Sequence, residues 1–186
     1  MSLFRSLACI LLALPVAAVG ADSYAIDPEH TYPSLEFDHL GLSTWRAKFN
    51  KSAGRVTLDR AARTGSVEVV VYVESIDFGN RKMNEVALTA DWLDFDHFPT
   101  MAYRGRVVFT GDAPTSVDGQ LTLLGVSKPL ALKINRFKCM PHPLLRKEMC
   151  GADAEGEFDR TEFGMKQYPQ GKQIHLRIQV EALKEN

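Results

Sequence analysis

The sequence predicts an all-β protein built as an antiparallel sandwich or barrel. Its C-terminal segment Lys172–Leu183, KQIHLRIQVEAL, alternates apolar and polar residues almost without interruption. A period of two is typical of a β-strand with one apolar face and one solvated face. The alternation recurs in roughly nine short segments separated by Gly, Pro, Asp and Asn, which is the pattern of an all-β domain.

The N-terminal residues predict a signal peptide rather than part of the fold. Arg5 precedes an apolar run, Leu7–Val19, and small residues precede Asp22. The run is too short to span a bilayer and has no stop-transfer flank. We therefore assign residues 1–21 to a signal peptide, with cleavage after Gly20 or Ala21, and residues 22–186 to one exported domain.

The predicted strands follow one another closely along this domain. Each alternates apolar and polar residues, with valine, leucine, isoleucine or an aromatic residue on the apolar face. They cover residues 34–39, 45–49, 55–59, 66–76, 103–109, 117–123, 130–134, 154–158 and 172–183.

Two segments depart from the alternation. Residues 80–93 place Met83, Val86, Ala87 and Ala90 at helical spacing without Gly or Pro, which predicts a single helix. Residues 137–151 contain two prolines and two cysteines, and we expect them to form a cross-linked loop.

The charge balance excludes some partners. The chain has a formal net charge of −1, and removal of Arg5 with the signal peptide makes it −2. The balance therefore gives no reason to expect nucleic acid or anionic lipid surfaces as partners. Charged side chains on the polar strand faces also disfavour a transmembrane barrel, so the apolar faces should point inward. An inward apolar face can belong to a filled core or to a cavity, and periodicity does not choose between them.

The exported domain keeps one pair of cysteines, Cys139 and Cys150. In an exported protein, an even pair at close spacing most often forms a disulfide. A zinc site would use His142 as a third ligand, but no convincing fourth ligand accompanies it.

Several motifs resemble the YceI-like, polyisoprenoid-binding family over essentially the whole exported domain. The opening YAIDPEHTYPSLEFDHLGLS at 24–43, LTADWLDFDHFP at 88–99, GQLTLLGVSKPLAL at 119–132 and RTEFGM at 160–165 occur in the family's order. Ala47 and Trp92 depart from its usual residues. The resemblance implies an extended lipocalin-like antiparallel β-barrel of about eight strands, with one helix capping or flanking it. It also implies a periplasmic location and a long isoprenoid or other lipid held inside.

The candidate ligand-binding residues combine apolar strand faces with a few motif positions. His39 shares an apolar face with Leu35 and Phe37, either as a core residue or as a head-group contact. Arg160 serves either as a buried ion-pair partner or as a phosphate contact. The full set is Leu35, Phe37, His39, Trp45, Ala47, Phe49, Val69, Val71, Trp92, Phe95, Leu121, Leu132, Arg160, Phe163, Leu176 and Ile178.

Two further clusters set a histidine beside carboxylates, DPEH at 27–30 and DFDHF at 94–98. Such groups could bind metal or act as acid and base, but both lie where Asp commonly stabilises turns. We favour turn hydrogen bonds, and we expect no metal site.

The resulting hypothesis is a non-enzymatic periplasmic carrier, with a polyprenyl phosphate, quinone or similar lipid as ligand and no required cofactor. Expected partners are the lipid itself and, transiently, a membrane or membrane protein, for a monomer or homodimer. The alternatives are an isoprenoid-modifying enzyme that uses His39, and a scavenger of assorted hydrophobic compounds, with a link to stress.

Overall fold

The computed structural model describes residues 20–168 and 170–185, so the predicted signal peptide lies outside them except for Gly20 and Ala21. Within this part of the chain, eleven strands form one antiparallel sheet with a single α-helix. The strands are β1 (Asp22–Ile26), β2 (Tyr32–His39), β3 (Ser43–Phe49), β4 (Ser52–Asp59), β5 (Thr64–Tyr72), β6 (Ile76–Asp77), β7 (Thr100–Thr110), β8 (Ala113–Leu123), β9 (Val126–Pro141), β10 (Glu148–Asp159) and β11 (Gln173–Lys184), and the helix is α1 (Arg81–Ala87).

Eight strands close into a barrel in the order β1-β4-β5-β7-β8-β9-β10-β11, as predicted. The ring closes because β11 pairs with two strands in succession. Its residues His175–Gln179 pair with β2, and its residues Ala182–Lys184 pair with β1. Strands β2, β3 and β6 extend the sheet beyond β11.

The two ends of the barrel differ. We call the end that carries α1, the 88–99 connection and the 160–172 connection the helical end. Asn80 begins α1 by accepting hydrogen bonds from the amides of Lys82 and Met83. The predicted helix over residues 80–93 is too long: α1 ends at Ala87, and the amide of Leu93 donates to the Ala87 carbonyl at 3.0 Å. In the described ranges, no helix is long and apolar enough to cross a membrane.

The opposite end, the hairpin end, carries the β9–β10 hairpin. The prediction of an irregular loop over residues 137–151 is wrong, because both strands continue through it until Pro141 pairs with Glu148. Cys139 and Cys150 are directly opposite each other in this ladder, with Cα atoms 4.0 Å apart, and they form the expected disulfide. The prolines lie at the tip, where a missing amide donor does not interrupt the ladder.

Polar side chains close the inside of the hairpin end. The Tyr24 side chain is fully buried, and its hydroxyl donates a hydrogen bond to Glu148. Arg60 donates to the same hydroxyl at 2.8 Å and forms an ion pair with Glu148. This triad of Tyr24, Arg60 and Glu148 ties together β1, the β4–β5 turn and β10.

A glycine makes room for a second buried tyrosine in the barrel wall. A Cβ atom on Gly119 would lie 2.5 Å from the Tyr103 ring, so only glycine allows the ring to cross the backbone of β8. The Tyr103 hydroxyl donates to the carbonyl of Leu130 at 2.9 Å. Its polar atom is therefore satisfied within the wall.

Candidate ligand-binding cavity

The barrel encloses an elongated cavity of about 630 Å³. The apolar face of β11 lines it throughout, through Ile174, Leu176, Ile178, Val180 and Ala182. From the first of these to the last is roughly 26 Å along the strand at about 3.3 Å per residue. The inward apolar faces therefore surround an open space, which resolves the choice between a filled core and a cavity.

Most of the predicted binding residues lie on the cavity wall. They come from strands β2, β3, β5, β8, β9 and β11, from the 88–99 connection and from the 310 turn after β10. The predicted residues that line the cavity are Leu35, Phe37, His39, Trp45, Phe49, Val69, Val71, Trp92, Leu121, Leu132, Arg160, Leu176 and Ile178.

Three predicted residues, Ala47, Phe95 and Phe163, are packed in or against the apolar core instead of lining the cavity. Ala47 is buried opposite Leu35, whose longer side chain reaches the cavity. Phe163 packs edge to face on Phe158 at 5.3 Å between ring centroids, and Phe158 lines the cavity. An aromatic residue in the right motif can thus support the wall without forming its surface.

Other lining residues were not among the predicted set. Tyr24 is on a strand of five residues, too short for a periodic signal. Phe78 follows β6, and Tyr168 lies in an irregular connection, so neither has a pattern to identify it. Met83 on α1 had a usable signal, because its helical spacing with Val86 and Ala87 marked the face that now covers the cavity.

The polar groups of the wall are concentrated at the helical end, where Asp38, His39, Arg160, Tyr168 and Gln170 line the cavity. Farther inside, the polar side chains are satisfied by the protein itself. The Thr31 hydroxyl, for example, donates to the Glu181 carbonyl and accepts from the Glu181 amide. The cavity is therefore apolar along its length and polar at one end.

An aromatic cluster forms one side of the helical end. His39 stacks on Trp45 with ring centroids 3.9 Å apart and planes at 14°. Phe37 and Phe78 each lie about 6 Å from Trp45, in tilted and edge-on orientations. His39 is thus inward-facing, as predicted. In the part of the chain described here, no hydrogen bond from its ring is present.

Arg160 organises the other side of this end. Its side chain is 3% exposed. Its guanidinium donates to the backbone carbonyls of the 165–171 segment, at 3.0 Å to Gly171, 2.7 Å to Gln167, 2.7 Å to Tyr168 and 3.1 Å to Gln170, and also to Met165. Of the two roles considered for Arg160, an ion pair is not what holds its guanidinium, since the hydrogen-bond partners are carbonyl oxygens.

Burial lowers the pKa of Arg160, and the charge of neighbouring Asp159 partly opposes this effect. The guanidinium also lies over the Trp92 ring, 5.2 Å from its centroid, and Trp92 stacks on Tyr168 at 5.8 Å. These cation–π and stacking contacts fix the 160–172 connection against the 88–99 connection. Arg160 has few donors left for an external anion.

Both histidine–carboxylate clusters form turn hydrogen bonds, as favoured from the sequence. His30 Nδ1 lies 2.8 Å from an Asp27 carboxylate oxygen, and His97 Nδ1 lies 2.8 Å from Asp94. These hydrogen bonds raise the pKa of His30 and of His97. Neither pair lines the cavity, so neither is placed to act on a ligand inside it.

The cysteine pair also lies beside a carboxylate. The sulfur atoms of Cys139 and Cys150 are within 4.8 Å of a carboxylate oxygen of Glu148, which resembles a metal-binding group. Because the two sulfurs are bonded to each other, they cannot act as thiolate ligands. His142 is used in the turn, where its Nδ1 accepts from the Leu144 and Leu145 amides at 3.1 Å each.

Solved structures with this architecture include bacterial proteins of low sequence identity. A YceI protein from Campylobacter jejuni superimposes with a TM-score of 0.69 at 22% identity, covering 80% of this chain and 90% of its own. A polyisoprenoid binding domain from Saccharophagus degradans superimposes with a TM-score of 0.63 at 11% identity, covering 87% and 98%. At these identities the likeness establishes the fold.

Sequence relatives extend the comparison. A UPF0312 protein of Vibrio parahaemolyticus is 32% identical over 136 residues, which is 71% of each chain. A UPF0312 protein of Shewanella denitrificans is 29% identical over 194 residues and covers 98% of each chain. Residues 24–182 match the YceI-like domain, a span that begins within β1 and ends within β11 and so reaches every strand of the closed barrel. The chain therefore belongs to the YceI-like family.

Proposed function

We propose that this protein is a carrier that holds a long-chain polyisoprenoid or similar amphiphilic lipid inside its barrel, and that it is not an enzyme. The observation that carries the proposal is the elongated apolar cavity whose polar lining residues are concentrated at the helical end. Its similarity in fold to the polyisoprenoid binding domain from Saccharophagus degradans supports the same ligand class.

Burial of apolar surface is sufficient to hold such a ligand. A chain that buries on the order of 500 Å² gains ~12 kcal/mol before the entropy costs of binding, at ~25 cal/mol per Å². No polar contact is needed along the chain. Selectivity among slim apolar chains should therefore be loose, which leaves room for a scavenging role.

The polar rim gives the ligand an orientation. We expect the apolar chain to extend past Ile178 toward Tyr24, with its head group among His39, Tyr168 and Gln170 at the helical end. Because Arg160 already donates to five carbonyl groups, a neutral head group should be accepted as readily as a phosphate. A quinone or prenol would satisfy this condition.

The proposed location is the periplasm. The predicted signal peptide and the Cys139–Cys150 disulfide both suit an oxidising, exported environment. We expect the carrier to exchange its lipid through transient contact with a membrane or membrane protein, as a monomer or a homodimer.

His39 offers little support for the enzymatic alternative. A general base is usually oriented by a hydrogen-bonded partner, whereas His39 stacks on Trp45. The adjacent carboxylate of Asp38 accepts the Gly41 amide at 2.8 Å in the β2–β3 turn. The arrangement suits packing against a head group better than proton transfer.

The test fills the cavity. Ala154 lines it on β10, opposite Ile178 and Ile134, so Ala154→Phe should block the path of an apolar chain. Native mass spectrometry of protein purified from the periplasm should show a bound lipid in the wild type and none, or far less, in the variant. Added long-chain prenols or quinones should raise the melting temperature of the wild type but not that of Ala154→Phe.

The matched control is Ala131→Phe, which adds the same ring to an exposed position on β9 outside the cavity. It should retain lipid at the wild-type level. If the wild type carries no lipid and longer prenyl chains do not raise its melting temperature, the carrier proposal fails. Turnover of a prenyl substrate that is lost in His39→Ala, with binding retained, would establish the enzymatic alternative instead.

A further inference from the structure

The tip of the β9–β10 hairpin, residues 140–147, displays apolar side chains to solvent. Leu144 is 84% exposed, Leu145 is 53% exposed and Met140 is 44% exposed. Single exposed apolar residues are ordinary on a protein surface, but three at one protruding tip are a feature of interaction sites. We call this feature the leucine tip.

The leucine tip has a defined shape. The Cys139–Cys150 disulfide lies at its base, and the His142 amide donates to the Lys147 carbonyl at 2.7 Å. The His142 ring accepts the amides of both leucines, which holds their backbone in the turn. Because the tip is already ordered, docking would require little additional loss of conformational freedom.

The charge around the leucine tip is positive. Lys138, Arg146 and Lys147 are exposed, and within residues 20–168 and 170–185 none of them forms an ion pair. Most carboxylates at this end are neutralised by partners of their own. The pairs are Glu148 with Arg60, Glu185 with Arg55, Asp22 with Lys184 and Asp112 with Arg63, while Asp59 accepts the Ala62 amide.

We propose that the leucine tip docks this protein onto an anionic lipid bilayer. Leu144 and Leu145 would enter the boundary between head groups and acyl chains, and the three cations would lie among the lipid phosphates. A turn of eight residues is too small to provide the roughly 800 Å² per partner of a stable protein interface. A bilayer needs no matching pocket, so a convex tip suits it.

This proposal concerns the outer surface and does not depend on which ligand fills the cavity. The test is sedimentation with phosphatidylcholine vesicles, with and without phosphatidylglycerol, using the whole protein prepared identically for every variant. The wild type should bind the vesicles that contain phosphatidylglycerol and should be released by high salt. The double variant Leu144→Ser/Leu145→Ser should bind at least tenfold more weakly, and Arg146→Gln/Lys147→Gln should lose the preference for anionic lipid.

The matched control is Leu42→Ser, which removes an 81% exposed leucine from the opposite, helical end. It should bind vesicles as the wild type does, and all variants should give wild-type unfolding curves and retain wild-type lipid content. Absence of wild-type binding, or full binding by Leu144→Ser/Leu145→Ser, would overturn the proposal. Loss of binding in Leu42→Ser alone would place the contact at the helical end and overturn it as well.

Discussion

The Tyr24 hydroxyl donates a hydrogen bond to the Glu148 carboxylate, joining β1 to β10 across 124 residues of sequence. The tyrosine ring lines the cavity, while its hydroxyl belongs to the polar triad that closes the hairpin end. The Tyr24 side chain therefore belongs both to the apolar wall of the cavity and to the polar triad at the hairpin end.

Tyr24→Phe should lower the free energy of unfolding by about 1.5 kcal/mol at pH 8, because it removes a buried hydrogen bond to a charged group. Burial, and secondarily the hydrogen bond to Glu148, raises the pKa of Tyr24 to about 12 from its usual 10. The unfolded chain therefore loses this proton first, and the stabilisation fades as the pH rises from 10 to 12.

Denaturant unfolding of wild type and Tyr24→Phe at pH 8 and pH 11 measures both effects. The difference between the two proteins should be smaller at pH 11. Burial also raises the pKa of Tyr103, so the Tyr24→Phe variant should itself lose some stability in alkali. A difference that grows with pH would contradict the assignment of Tyr24.

Cys139→Ser should lower the free energy of unfolding by up to about 3 kcal/mol, because the disulfide restricts the unfolded chain. The barrel should persist, since the cysteines join neighbouring strands that already share a hydrogen-bonded ladder. Chemical denaturation with and without a reducing agent provides the control, because reduction should weaken the wild type and leave the variant unchanged. Two reactive thiols in untreated wild type would show that the disulfide is absent.

Two neighbouring positions on β11 should differ strongly in how well they tolerate the same substitution to aspartate. Ile178 lines the cavity, and Gln179 is exposed on the outer face. Ile178→Asp buries a lone carboxylate and should cost about 2–4 kcal/mol or empty the cavity, whereas Gln179→Asp should be nearly neutral. Thermal unfolding and lipid content measured on both variants decide the matter, and equal tolerance would disprove the inward orientation.

Ser52→Ala should raise the free energy of unfolding by up to about 1 kcal/mol. The Ser52 hydroxyl is buried and, among the described residues, has no hydrogen-bond partner. Its desolvation on folding therefore costs free energy that no hydrogen bond offsets. Ser66→Ala is the control, because the Ser66 hydroxyl lies 2.8 Å from the Thr57 hydroxyl and its loss should destabilise the protein. A fall in stability for Ser52→Ala would indicate an ordered water at that site.

Alternation proved sufficient to predict which face of a long strand is turned inward. All five residues on the apolar face of the alternating β11 segment line the cavity, because successive side chains of a regular strand point to opposite faces. The pattern did not reveal β1, since five residues with a single full alternation carry little signal. It also missed the continuation of β9 and β10 into residues 137–151, where prolines and cysteines mask the strand.

The details of the wall depend on side-chain length and on non-local neighbours. Ala47 has the right parity on β3, but it is buried beside the longer Leu35 of β2, which reaches the cavity; this pairing is not contained in the sequence of β3 alone. Arg160 was recognised from its motif, yet its partners are carbonyls of an irregular segment that carries no periodic signal. The inward or outward orientation of the side chains along a strand is thus encoded locally. Which of the inward side chains reach the cavity depends on neighbours throughout the sheet.

The closing seam between β1 and β11 joins the two ends of the domain, since Tyr24 pairs with Lys184 and Ile26 pairs with Ala182. On this side β1 pairs with β11, so the barrel keeps an open edge until β11 is available. Such long-range pairing also slows folding. A lipid can therefore be enclosed only after β11 has paired with β1 and closed the ring.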